Sequence, residues 1–150
     1  MEFFADRNLG TRLFPELLRR EGLTIHLHQD HFAPDAADVD WMPVVARRGW
    51  PIISPDLRIS RDWLEVSAVM TSGAAMFCLS GGERTAEQKA RNFMRCLPAI
   101  LRILETTARP FIAKVYQPNP DDPGDTKTRR VEVKLTLPQW EERYRRRGAL

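Results

Sequence analysis

The residues of this sequence best suited to chemistry are aspartates that follow apolar runs. Asp6 comes directly after "EFFA" and Asp56 after "WPIISP", while Asp35, Asp38 and Asp40 crowd into "PDAADVDW" ahead of an amphipathic segment. If the apolar runs are parallel strands, Asp6 and Asp56 project past the carboxyl edge of one sheet, where open α/β sheets bind their ligands. A right-handed crossover returns the loop with Asp35, Asp38 and Asp40 to the same rim. Carboxylates gathered in this way repel one another and stay protonated unless a cation joins them. Mg2+ or Mn2+ suits such a set, because hard oxygen ligands favour ions that keep most of their waters and bind phosphate oxygens alongside. A site of this kind activates water and offsets charge on a phosphodiester undergoing hydrolysis.

Each aspartate taken singly also has a plainer explanation, since the residue is common at turns and helix starts. For Asp40 that explanation is strong. With Asp40 as N-cap, Pro43 falls at the third helical position, where its missing N–H is harmless. Asp38 is then left for another task. "HLHQDH" sets His26 and His28 on one face of a strand with Asp30 just beyond, but alternate histidines on the polar face of a half-buried strand need no metal. Cys78 and Cys96 each lie inside an apolar pattern. They are too few and too far apart for a disulfide framework or a zinc cage, and nothing suggests a base aimed at either. Trp41, Trp50 and Trp63 read as core packing rather than platforms for stacked bases.

The elements that must position these residues alternate along the chain. "EFFA", "LTIHLH", "WPIIS" and "AAMFCLS" read as strands, the second with a period of two. Between them lie a helix with Leu13, Leu17 and Leu18, in which Pro15 confines the start to residues 11–14; a helix in "WMPVVARRG"; and a short helix carrying Leu64, Ala68 and Val69. Thr85 and Gln88 have capping-box spacing before a long helix striped by Phe93, Leu97, Ile100, Leu101 and Leu104, which Pro98 should bend. "PFIAKVY" and "RRVEVKLTL" flank a turn-rich "QPNPDDPGDTKT" and predict an antiparallel hairpin. The pattern implies an α/β fold with a mainly parallel central sheet.

The chain has 150 residues, 43% of them hydrophobic, enough for one core. No apolar stretch approaches the roughly 20 residues that span a bilayer, and no leader pattern opens the sequence, so a cytoplasmic protein is expected. The net charge of +3 is uneven: residues 127–150 hold eight Lys/Arg against three Glu, and the preceding part holds 15 against 17 acids. This basic end is either a polyanion-binding arm or a solvated helix.

Taken in order, these motifs resemble those of the PIN-like nucleases, specifically the short PIN-like toxins related to the VapC group of bacterial toxin–antitoxin systems. "FFADRNLG" is similar to the family's opening strand with its first metal-binding aspartate, "PDAADVDW" to its acid-rich approach to a helix, and "GWPIISPDLRI" to a strand ending in a further acid. "MFCLSGG" and "RPFIAKV" resemble later core strands, so the likeness covers about residues 2 to 116. It implies a PIN-like three-layer sandwich over residues 1–126, with a C-terminal hairpin and a basic extension over 127–150. It also implies that Asp6, Asp38 and Asp56 are the catalytic metal-site carboxylates for Mg2+ or Mn2+, with Asp40 beside the site or capping its helix. The family has a fourth acid, often a glutamate on a helix. Asp30, Asp35 and Glu16 are the candidates for it here, and "SPD" stands where a threonine often precedes the acid.

The activity so implied is a metal-dependent endoribonuclease toxin. Its RNA would be held by Arg7, Arg58 and Arg61 near the rim and by Arg145 and Arg146, with Arg143 and Arg147, in the tail. A cognate antitoxin is the implied protein partner, leaving a homodimer or a hetero-oligomer with that antitoxin open. The rival is a catalytically inactive PIN-like binding or regulatory module. A phosphatase is a weaker third reading, because "DRN" lacks a second aspartate two residues after Asp6.

Overall fold

The computed structural model describes residues 1–9, 12–81, 83–119, 121–122, 124–125 and 130–148. The expected boundary between residues 126 and 127 falls outside them. The strands are Glu2–Ala5 (β1), Thr24–Leu27 (β2), Ile52–Pro55 (β3), Ala75–Ser80 (β4), Phe111–Tyr116 (β5) and Val131–Thr136 (β6). They form one sheet in the order β2-β1-β3-β4-β5-β6. β1 to β5 run parallel, and β6 pairs antiparallel with β5 as the expected hairpin. Helices cover both faces, which is why β1, β3, β4 and β5 are almost continuously apolar.

Side-chain alternation sorts the core into two layers. Phe3, Ile25, Ile53, Phe77 and Phe111 face Leu13–Arg20 (α1) and Ala86–Thr106 (α4). Phe4, Ile52, Met76 and Ile112 face Asp38–Arg47 (α2), Trp63–Ser72 (α3) and Leu137–Gly148 (α5). The result is a three-layer α/β/α sandwich. The Thr85–Gln88 capping box forms, with Gln88 N donating to Thr85 Oγ1 at 3.1 Å and Thr85 N to Gln88 Oε1 at 3.0 Å. α4 continues through Pro98 without interruption. Among the described residues, no helix is long and apolar enough to cross a membrane.

Two local expectations need correction. α2 starts at Asp38, with Ala37 in the extended N-cap conformation and Asp40 exposed at the third helical position. The Ala37 carbonyl accepts from both Asp40 N at 2.9 Å and Trp41 N at 3.2 Å, so the first turn is tight before Pro43 is reached. Pro43 deprives only the Val39 carbonyl of a donor, and Val39 is 64% exposed, open to solvent that can supply one. Leu64, expected in the apolar stripe of α3, is 86% exposed; the buried face is Val66, Ala68, Val69 and Met70. Leu64 lies about 200° around the helix from Val66, at 100° per residue.

Candidate active site

β1 is the point where the chain order reverses: β2 lies on one side of it and β3 on the other. Crevices at such switch points, beyond the carboxyl ends of the strands, are the usual ligand sites of parallel sheets. Asp6 occupies this one. Its N–H donates to Ile53 O on β3 at 3.0 Å, which keeps the residue in register one step beyond β1. Its Oδ1 accepts from Asn8 N at 3.3 Å and closes the 3-10 turn Arg7–Leu9. Asp6 therefore both forms a turn and stands at a ligand rim, and it is only 5% exposed. Burial pushes its carboxyl pKa above the usual value; the Asn8 N–H pulls it down, Asp38 pushes it up again and Arg7 opposes.

α2 and α3 both begin on this rim and bring one acid each. Asp38 is the first residue of α2, and its Oδ1 accepts from Trp41 Nε1 at 3.1 Å. Trp41 is buried, stacked on Phe4 at 5.2 Å between ring centres and edge-on to His28 at 5.4 Å, so core packing fixes the group that aims Asp38. Glu65 is the third residue of α3. Burial, then Asp6, Asp38 and Asp62, raise its pKa to about 7, with Arg7 acting against them. Three carboxylates from three elements thus share one field.

Arg7 ties the site to the loop before α2. Its Nη1 donates to Ala36 O at 2.7 Å and lies 3.3 Å from His28 Nε2. A guanidinium only donates, so His28 accepts, which agrees with burial and then Arg7 holding that imidazole's pKa low. A cavity of about 250 Å3 opens beside Asp6, lined by Arg7, Arg12, Leu27 and His28. His26 faces elsewhere, bonded to Glu2 at 3.0 Å and stacked on Trp50.

Asp56 is on the same rim but has a different partner. Lys114 Nζ on β5 lies 3.2 Å from its Oδ1, and Asp56 is not among the charges that shift Asp6 or Glu65. Of the expected trio, the structure brings Asp6 and Asp38 together and turns Asp56 to a lysine. Asp40 sits about 200° around α2 from Asp38. There it adds negative charge at the positive end of the helix. Among the candidates for a fourth acid, Glu16 is paired with Arg19 at 2.8 Å, and Asp30 and Asp35 are exposed. An apolar stripe of α3 phased on Leu64 gives Glu65 no place at the rim. Phased on Val66, Val69 and Met70, the same sequence puts a glutamate in the first turn of a helix that begins at the rim.

Arg58 and Arg61 are exposed in a compact loop, where Arg58 N donates to Asp62 Oδ2 at 2.8 Å and Arg61 N to Arg58 O at 2.9 Å. In the basic end, Trp140 stacks on Trp63 and the Arg147 guanidinium lies 4.0 Å over the Trp63 ring, so α5 is docked on α3. Arg145 and Arg146 are exposed, the latter paired with Glu142 at 3.2 Å.

Among the described residues, no three His, Cys, Asp or Glu side chains stand close enough together to hold a metal ion as they are. The chemistry of the donor set fits a hard divalent cation all the same. Asp6 and Glu65 titrate high because they are buried next to like charge, and an arriving cation removes that cost.

Fold and rim together define a parallel α/β protein with an acidic site at its switch point. A family model described as a PIN like domain matches residues 1–81. The chain belongs to the PIN-like domain family. It is 32% identical over 117 residues to the Mycobacterium tuberculosis protein named "Putative ribonuclease VapC45", an alignment covering 75% of this chain and 84% of that protein. No solved structure matches the chain.

Proposed function

We propose that this protein is a metal-dependent endoribonuclease, the toxin of a toxin–antitoxin pair, that hydrolyses RNA phosphodiesters at the rim formed by Asp6, Asp38 and Glu65. The observation that carries this reading is geometric: Asp6 at the end of β1 and acids in the first turns of α2 and α3, Asp38 and Glu65, stand at the switch point of a PIN-like sheet. The VapC-named relative supports both the ribonuclease activity and an antitoxin partner.

Asp6, Asp38 and Glu65 would hold Mg2+ or Mn2+, with Asp56 next along the rim. Such an ion supplies positive charge against the phosphodiester and a more acidic water. The chain's own part is positional. The Asn8 N–H and the Ile53 carbonyl fix Asp6, Trp41 fixes Asp38, and α3 presents Glu65 from its first turn. Burial beside like charge raises the Glu65 carboxyl to about 7 when no cation is bound, and a bound cation would hold it ionised. Arg7, Arg58, Arg61, Arg145 and Arg146 would hold RNA phosphates, contacts that position a strand without reading its sequence.

A second reading, a PIN-like binding module without catalysis, is favoured by one observation, the lack of three gathered ligands among the described residues. Incubating the purified, antitoxin-free protein with RNA separates the two. Cleavage that needs Mg2+ or Mn2+ and stops with chelator is expected, and failure to cleave with either ion puts the binding module first.

A further inference from the structure

The rim carries a second concavity, of about 380 Å3, lined by Arg58, Ile59, Ser60, Lys114, Lys134 and Arg143. Three segments distant in sequence build it: the loop after β3, the β5–β6 hairpin and α5. Lys114, Lys134 and Arg143 all lie beyond residues 1–81, where the family model matches. Two of the four cations have acidic partners, Lys114 with Asp56 at 3.2 Å and Lys134 with Glu132 at 3.6 Å. Glu132 is shared, since Arg130 Nη2 approaches it at 2.7 Å. The guanidinium groups of Arg58 and Arg143 form no ion pair among the described residues. A concave wall with an excess of positive charge concentrates anions.

Its position says which anion. In the sheet register Lys114 pairs with Cys78, and Cys78 with Ser54. Lys114 pairs with Asp56 at the end of β3, and Asp6 N donates to Ile53 O on that same strand, so Lys114 and Asp6 lie on neighbouring parts of one rim. The basic concavity therefore adjoins the acidic site. Among the described residues Ile59 is its sole apolar lining residue, which leaves little for a docking peptide helix to bury against.

We propose that this concavity is a phosphate-binding subsite for the RNA strand, holding a backbone phosphate that flanks the one presented to Asp6, Asp38 and Glu65. Arg58 and Arg143 are its main contacts, and Ser60 offers a hydroxyl donor. Asp56, paired with Lys114 at its wall, competes with the phosphate for that cation. The inference rests on the ribonuclease reading for the identity of the strand but is tested without catalysis.

The test is fluorescence anisotropy of a short labelled single-stranded RNA in EDTA, over a series of salt concentrations. R58A/R143A is expected to weaken binding and to flatten the plot of log affinity against log salt by about 0.7, the contribution of one phosphate on a single strand. R95A/R102A removes the same charge from exposed positions of α4, across the sheet, and should leave the slope unchanged. Arg143→Gln alone provides a milder variant should the double substitution lower the melting temperature. The proposal is overturned if R58A/R143A keeps the wild-type slope, if R95A/R102A flattens it equally, or if the wild type binds no RNA. Loss of antitoxin binding with an unchanged slope would overturn it too, by assigning the surface to a protein partner. Binding with the expected slopes but no cleavage under Mg2+ or Mn2+ would sink the ribonuclease reading and leave the subsite standing.

Discussion

The two ends of the rim handle charge in opposite ways. At the switch point Asp6, Asp38 and Glu65 share one field, and Arg7, the cation opposing them, directs its Nη1 to the Ala36 carbonyl and His28. At the end of the neighbouring strand, β3, Asp56 has an aspartate's usual arrangement, an ion pair with Lys114 on a half-exposed surface. Both are acids that follow an apolar strand. The difference is that one group is buried beside like charge while the other is neutralised, and the first arrangement is one that functional sites share.

The sharpest way to break that comparison is to remove one acid from each end. Asp6→Asn should lower RNA cleavage by on the order of 100- to 1,000-fold, the scale for losing one preorganised electrostatic group, while Asp56→Asn lowers it less than about tenfold. Single-turnover cleavage rates with Mg2+ decide it. Equal losses would restore Asp56 to the ligand set and make its pair with Lys114 incidental.

Stability against pH sharpens the same contrast. The Glu65 pKa is raised from 4.5 to about 7 in the folded protein, so between those values the folded state binds more protons than the unfolded chain. Its stabilising effect is complete below the unfolded value and is lost as pH rises toward 7. Glu65→Gln should therefore match wild type under acid conditions and exceed it above neutrality, by at most about 3 kcal/mol. Denaturant unfolding at the two pH extremes measures this, and an advantage that shrinks as pH rises would contradict the assignment. The raised Asp6 carboxyl tilts the curve the same way and persists in the variant.

A divalent cation should act in the opposite sense. If Mg2+ or Mn2+ binds the folded acids, metal at about 100 times its Kd adds about 2.7 kcal/mol at neutral pH, seen as a rise in melting temperature. Asp6→Asn should abolish that rise and Asp56→Asn should leave most of it. A rise that survives Asp6→Asn would place the cation elsewhere.

The smallest effect belongs to the neutralised end. An exposed ion pair contributes at most about 1 kcal/mol, so Asp56→Asn should barely alter stability. It frees Lys114, however, and should tighten RNA binding in EDTA by up to about fivefold at low salt. Weaker binding would mean that Asp56 positions Lys114 rather than competing with the RNA for it.

Much of this molecule follows from local pattern. The apolar runs ending in Asp6 and Asp56, the Thr85–Gln88 box and the hairpin of β5 and β6 depend on neighbours a few residues apart, and so does the prediction that acids meet at a carboxyl rim. Asp6 was legible for the same reason, whereas the capping argument that set Asp38 apart from Asp40 fails because α2 starts at Asp38. Other features depend on what each element packs against. Which stripe of α3 turns inward is decided by α2 and the sheet, and that choice exposes Leu64 and brings Glu65 to the acids. α2 could start at Asp38 because the carbonyl that Pro43 leaves without a donor belongs to a solvent-facing residue. Asp56 meets Lys114, 58 positions later, only because β4 lies between their strands in the sheet. The sequence by itself determined that carboxylates would line this rim, since strand ends and helix starts are written in short-range periodicity and capping. Only the tertiary structure decided which of them remain in conflict, because that depends on burial and on charges brought close by strand order.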